Sequence, residues 1–84
     1  MNYLYILKSI KDGNSYIGYT VDLKRRFSEH NKGLVKSTKF RRPFKLIYYE
    51  AYSNLKDAIK REHSLKLKSN AYSQLRKRIR NSLD

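Results

Sequence analysis

Two tyrosines that share a strand face with a glycine, and an arginine, a histidine and a glutamate that each fall on an apolar helix stripe, stand out in this 84-residue chain. Asp12-Gly13 separates two segments rich in Tyr, Ile and Leu, residues 3–9 and 15–20. Asp-Gly readily supplies the positive φ angles of a tight hairpin turn. A two-residue turn there pairs Ser9 with Tyr16, Leu7 with Gly18 and Tyr5 with Thr20. Side chains alternate along a strand, so Tyr5 and Tyr16 share one sheet face, with Gly18 on that face of the second strand. A glycine inside a strand often marks close approach by a ligand or another backbone; two tyrosines packed on a helix would account for the same pattern.

On a helix beginning at Leu23, at about 100° per residue, Leu23, Phe27 and Leu34 make a narrow apolar stripe. Arg26 and His30 complete it, one turn apart on the same face. Arg26 offers a forked, permanently charged donor to an anion, and His30 can take or give a proton. Packing offers alternatives for both, a snorkelling arginine at the core edge and a hydrogen-bonded, half-buried imidazole. On a second helix, Glu62 falls near the middle of a stripe made by Leu55, Ala58, Ile59 and Leu65. A carboxylate there costs stability unless it is paired, hydrogen-bonded or bound to a cation. An ion pair with Arg26 or a neighbouring lysine would serve, and so would a metal ion. Lys66 stands one turn further along on nearly the same face.

The elements that must position these groups can be read in order. Asp22 is a natural N-cap for a helix from Leu23 to about Lys32, and Gly33 a natural stop. Residues 34–43 form a basic loop with the single proline, and Phe44 to Tyr52 reads as a third strand. Asn54, with Asp57 three residues on, caps the second helix, which runs to about Lys68. Ser69-Asn70 breaks it. Tyr72, Leu75, Ile79 and Leu83 then recur at helical spacing and predict a third, strongly basic helix over residues 70–83. The expected fold is α+β, a small three-stranded antiparallel sheet flanked by helices in the order ββαβαα. The length is well below the ~100–150 residues of a typical domain, so residues 1–84 are expected to form one domain.

Composition narrows the function. The absence of cysteine excludes disulfides and thiolate chemistry, and two histidines are too few for a multi-histidine zinc site. No apolar run approaches the ~18 residues of a membrane span, and the start carries no signal-peptide pattern, so a cytoplasmic protein off the membrane is expected. The net charge is +13. Residues 21–45 hold nine cations against two carboxylates, and residues 54–84 nine against three. A positive face of that size calls for a polyanion, and nucleic acid is the default partner. Lys39, Arg41 and Arg42 in the loop, with Lys66, are the expected phosphate contacts.

The residues that stand out coincide with a known arrangement: the chain resembles a GIY-YIG nuclease domain. Tyr3-Leu4-Tyr5 stands where that family has its first motif, and Tyr16-Ile17-Gly18 is its second motif unaltered. Tyr3 and Leu4 replace the Gly and Ile of the name-giving tripeptide, and Tyr5 is kept. Arg26 follows Tyr16 by ten positions, as the catalytic arginine does in the excision-repair nuclease C subunit. His30 occupies a position that is His or Tyr in the family, and Glu62, in AIKREHSLK, falls at the metal-binding glutamate. The resemblance runs from Tyr3 to about Lys68, and the loop Arg-Pro and the strand YYEAY resemble small stand-alone bacterial members.

The resemblance implies a metal-dependent endonuclease with Tyr5, Tyr16, Arg26, His30 and Glu62 as catalytic residues. Either tyrosine is the general base, its pKa lowered by Arg26, a protonated His30 or the metal. One weakly held Mg²⁺ or Mn²⁺ on Glu62 is implied, since Mg²⁺ takes few protein ligands and keeps several waters. DNA is favoured over RNA as substrate, cut by a monomer with weak or structure-based specificity or with a targeting protein. A non-catalytic nucleic-acid-binding module on the same fold is the alternative, and a basic domain that binds acidic proteins a third reading.

Overall fold

Residues 1–67 and 70–84 are described by the computed structural model of the chain. Strand β1 (Asn2–Ser9) pairs antiparallel with β2 (Ser15–Thr20) on one side and with β3 (Phe44–Tyr52) on the other, so the sheet order is β2-β1-β3 and β2 lies at an edge. The helices are α1 (Leu23–Asn31), α2 (Leu55–Lys66), α3 (Asn70–Arg78) and α4 (Arg80–Leu83), with a 3₁₀ turn at Lys39–Arg41 before β3. This is the α+β arrangement in the order ββαβαα that the sequence implies, with the last helix divided. The single helix expected over residues 70–83 is interrupted at Ile79, whose backbone leaves the helical region (φ −110°, ψ 26°). α2 ends at Lys66 with Leu67 as C-cap. The expected break at Ser69, and Lys68 beside it, lie outside the described residues.

The hairpin register differs from a two-residue turn. Tyr3 faces Thr20, Tyr5 faces Gly18 and Leu7 faces Tyr16. The connection takes five residues, 10–14, because local hydrogen bonds shape it. Gly13, at φ 75°, donates its N–H to the Ser9 carbonyl (2.9 Å), and Asp12 Oδ1 accepts from the Asn14 N–H (2.8 Å). The pairing is displaced by two residues, and the side-chain period is also two, so every side chain keeps its expected face.

Caps start α1 and α2 where expected. Asp22 accepts from the Arg25 N–H (3.1 Å) and Asn54 from the Lys56 N–H (2.9 Å). α2 and α3 cover one sheet face, where Leu65 and Leu75 join Leu4, Ile6 and Ile17. α1 lies on the other, with Leu23 and Phe27 against Tyr5, Leu7 and Phe44. Leu34 does not extend the α1 stripe. The helix ends at Asn31 and Gly33 turns the chain (φ 76°), which leaves Leu34 exposed and buries Val35 instead.

α2 is rotated relative to the expected stripe. Ala58 and Leu65 are buried, while Leu55 and Ile59 are exposed. Glu62 therefore flanks the buried line instead of centring it; Glu62 and Arg61 each lie about 50° from that line, on opposite sides. Arg61 donates to Glu50 of β3 (3.0 Å), and Glu50 also accepts from the Tyr48 and Tyr52 hydroxyls. This network, part-buried and multiply bonded, fastens α2 to the sheet and fixes which way Glu62 faces.

Candidate active site

Four of the residues expected to be catalytic, Tyr5, Tyr16, Arg26 and Glu62, meet at the free edge of β2. Tyr5 and Tyr16 come from the α1 side of the sheet, with ring centroids 6.4 Å apart. Gly18, directly across from Tyr5, leaves room for the Tyr5 ring. α1 brings Arg26 beside the tyrosines and α2 brings Glu62 around the edge from the opposite face. Tyr5, Tyr16, Arg26 and Glu62 line one cleft of about 440 Å³, together with Gly18, Asp22, Arg25 and Glu29.

His30 is not part of the cleft wall. It is fully buried behind Tyr5, its Nε2 2.9 Å from the Tyr5 hydroxyl and its Nδ1 2.8 Å from Thr38 Oγ1. Thr38 also reaches the Val35 carbonyl at 3.5 Å. When Thr38 donates to that carbonyl, the ring proton sits on Nδ1 and Nε2 accepts the Tyr5 proton. Burial pushes the Tyr5 hydroxyl up to about 12, against the opposing pull of the adjacent Arg26. Burial, helped by Arg26, pushes His30 down to about 4. At neutral pH the imidazole is uncharged and Tyr5 keeps its proton. A protonated His30 that lowers a tyrosine pKa is therefore not what the fold provides; for Tyr5, desolvation outweighs the arginine.

Glu62 pairs with Lys66 across 3.4 Å, and Arg26 pairs with Glu29 at 3.2 Å. Of the ion pairs open to Glu62, the neighbouring lysine is the one formed. Among the described residues, no cluster of three or more His, Asp or Glu is placed to hold a metal. Glu62 is a hard oxygen donor at the cleft, and a single carboxylate suits an ion that keeps most of its waters.

The loop cations are otherwise engaged. Arg41 donates to Asp12 (2.8 Å) and to the Asn14 carbonyl (3.3 Å), tying the loop to the hairpin. Arg42 donates to the Lys39 carbonyl (2.8 Å), and Lys39 lies over the Phe40 ring. None of the three lines the cleft. Lys66 is next to it, through Glu62.

Three features lie outside the residues singled out from the sequence. Glu29 shares its carboxylate between Arg25 and Arg26, a pairing that the i,i+4 and i,i+3 spacings could have signalled. Thr38 carries no local signal, since only the fold brings the loop onto His30. The Glu50–Arg61 bridge joins a strand to a helix and likewise has no local signature.

The chain matches the GIY-YIG catalytic domain over residues 1–80 and belongs to that family of nuclease-type domains. Among its relatives it is similar to two small proteins named only as members of a UPF0213 group. One is SSP2268 of Staphylococcus saprophyticus, 44% identical over 66 residues, which are 77% of this chain and 79% of that protein. The other is CPE1444 of Clostridium perfringens, 45% identical over 67 residues, 79% of this chain and 71% of that protein. The solution NMR structure of the UPF0213 protein BH0048 from Bacillus halodurans has the same fold, with a TM-score of 0.55 at 40% identity over 89% of this chain and 82% of that one. Among the described residues, no helix is long and apolar enough to cross a membrane.

Proposed function

We propose that this protein is a divalent-metal-dependent endonuclease that hydrolyses phosphodiester bonds in DNA. The observation that carries the reading is the convergence at the β2 edge: two tyrosines and an arginine from one sheet face, a carboxylate from the other, in one cleft. Mg²⁺ or Mn²⁺ would be held by Glu62 and would supply positive charge to the phosphate and the leaving oxygen. Arg26 binds a non-bridging phosphate oxygen through its guanidinium fork. Tyr5 takes a proton from the attacking water and passes its own to His30 Nε2, 2.9 Å away. That ready acceptor favours Tyr5 over Tyr16 as the base, and Tyr16 orients the water or phosphate from the cleft wall. Thr38 holds the imidazole so that Nε2 stays free to accept.

Phosphate contacts carry no sequence information, so target choice rests on substrate shape or on a targeting partner in the cytoplasm. The experiment is incubation with nicked, branched and single-stranded DNA and with RNA, in Mg²⁺ or Mn²⁺ against EDTA. Products that vanish with EDTA support the reading. The existing Glu62–Lys66 pair favours a second reading, a nucleic-acid-binding module without catalysis; tight binding with no products in either metal would select it.

A further inference from the structure

The cleft continues past Tyr16. A second groove of about 490 Å³ runs on from it, walled by hairpin residues Asn14 to Ile17 on one side and by Lys66, Tyr72 and Arg76 on the other. Tyr16 lines both spaces, so together they follow the free edge of β2 from Gly13 to Asp22. The chemistry changes along this path. The first half mixes carboxylates with arginines. The second holds two cations and, among the described residues, no carboxylate. The Arg76 guanidinium lies over the Tyr72 ring at 5.8 Å, which sets a planar cation beside an aromatic at the groove wall. Beyond it, a smaller depression of about 340 Å³ shares Arg76 and adds Arg80, Lys8 and Asp84.

We propose that this second groove binds a single-stranded segment of nucleic acid adjoining the phosphate in the cleft. Tyr72 and Tyr16 offer surfaces for a base, and Arg76 and Lys66 hold the backbone. What lies in the cleft rests on the nuclease reading; the groove's own chemistry does not. A duplex presents phosphates to such a surface and keeps its base faces stacked inside, whereas an unpaired strand offers both charge and an aromatic face. The volume falls within the ~300–1,000 Å³ of sites that enclose small organic groups, which suits nucleotides taken singly.

The test is fluorescence anisotropy in EDTA, where cleavage plays no part, with a labelled single-stranded oligonucleotide and a blunt duplex of equal length. Arg76 is exposed, so Arg76→Gln keeps the fold. It should lower single-strand affinity roughly tenfold and shallow the salt dependence by about 0.7 in log–log slope. Tyr72→Leu should cost a similar factor of roughly ten, and Tyr72→Phe, which keeps the ring, very little. A 5-iodouracil oligonucleotide should crosslink to Tyr72. Duplex binding should change much less in each variant. Unchanged single-strand affinity in Arg76→Gln, or equal losses on both probes, would overturn the proposal. If the groove variants lose single-strand binding while the wild type cuts nothing in Mg²⁺ or Mn²⁺, the groove stands and the nuclease reading falls. If the wild type cuts and the variants bind normally, the reverse holds.

Discussion

Tyr5 and Gly18 face each other across β1 and β2, and a Cβ on Gly18 would stand 2.6 Å from the Tyr5 hydroxyl oxygen and 2.7 Å from its Cζ. The ring cannot step aside cheaply, because it is buried and its hydroxyl is held by His30. Gly18→Ala should displace Tyr5 from His30 and cost about 1–3 kcal/mol of stability, as overpacking does. Displacing the proposed base should slow cleavage by about 10²-fold. Urea unfolding and a cleavage rate check both; an alanine variant of wild-type stability would mean that the ring has space to move.

His30 makes the fold sensitive to acid. The unfolded chain takes up a proton as pH falls below about 6.5, but the folded imidazole, pushed down to about 4, does not. Its contribution is whole above pH 6.5 and is lost as pH falls from 6.5 through 4, on the order of 3 kcal/mol in all. His30→Gln does not titrate and should flatten the stability profile across that window. Equal slopes for wild type and variant in urea unfolding between pH 7 and 4 would contradict a buried neutral imidazole.

Tyr5 sets the opposite end of the pH scale. Its hydroxyl, pushed up to about 12, is mostly protonated at every working pH. With Tyr5 handing its proton to a neutral His30, the reactive form is already the resting one above about pH 4, so the cleavage rate should stay level from pH 7 to 9. A rise of about tenfold per pH unit in that range would make the Tyr5 phenolate the base and take His30 out of the transfer.

These dependences rest on side chains whose faces were legible in the sequence and whose partners were not. The Tyr5–Tyr16–Gly18 face follows from strand alternation alone and survives a hairpin two residues out of the expected register, because both the shift and the side-chain period are two. The turn itself misled, since Asp12 caps the loop backbone instead of entering a two-residue turn. On α2, equal weight for every apolar residue put Glu62 at mid-stripe. Packing on the sheet chose Ala58 and Leu65, and the Arg61–Glu50 bond holds that rotation. Thr38 behind His30 is a product of tertiary folding and has no sequence period to reveal it.

Arg41 illustrates how charge in sequence differs from charge available to a ligand. Its guanidinium is spent on Asp12, and the Asp12 carboxyl is held down at about 2, chiefly by that hydrogen bond. Arg41→Gln should therefore loosen the hairpin loop yet leave the salt slope of nucleic-acid binding nearly unchanged, whereas loss of a true phosphate contact shallows it by about 0.7–0.9. Anisotropy titrations from about 50 to 200 mM salt measure the slope. A shallower slope in Arg41→Gln would return the loop to the phosphate track.

Glu62→Gln, assayed for cleavage and thermal unfolding together, tests the central claim most directly. The carboxylate pairs with a half-exposed Lys66, not with Arg26, so its neutralisation should change stability by no more than about 1 kcal/mol. Binding in EDTA should hold or tighten, since a repulsion with phosphate is removed. Cleavage in Mg²⁺ or Mn²⁺ should fall by about 10²–10³-fold or more, because the cleft loses the oxygen donor proposed for the ion. A variant that cuts at the wild-type rate, still dependent on the metal, would contradict Glu62 as the metal ligand, and a large drop in Tm with cleavage kept would make it a structural residue instead.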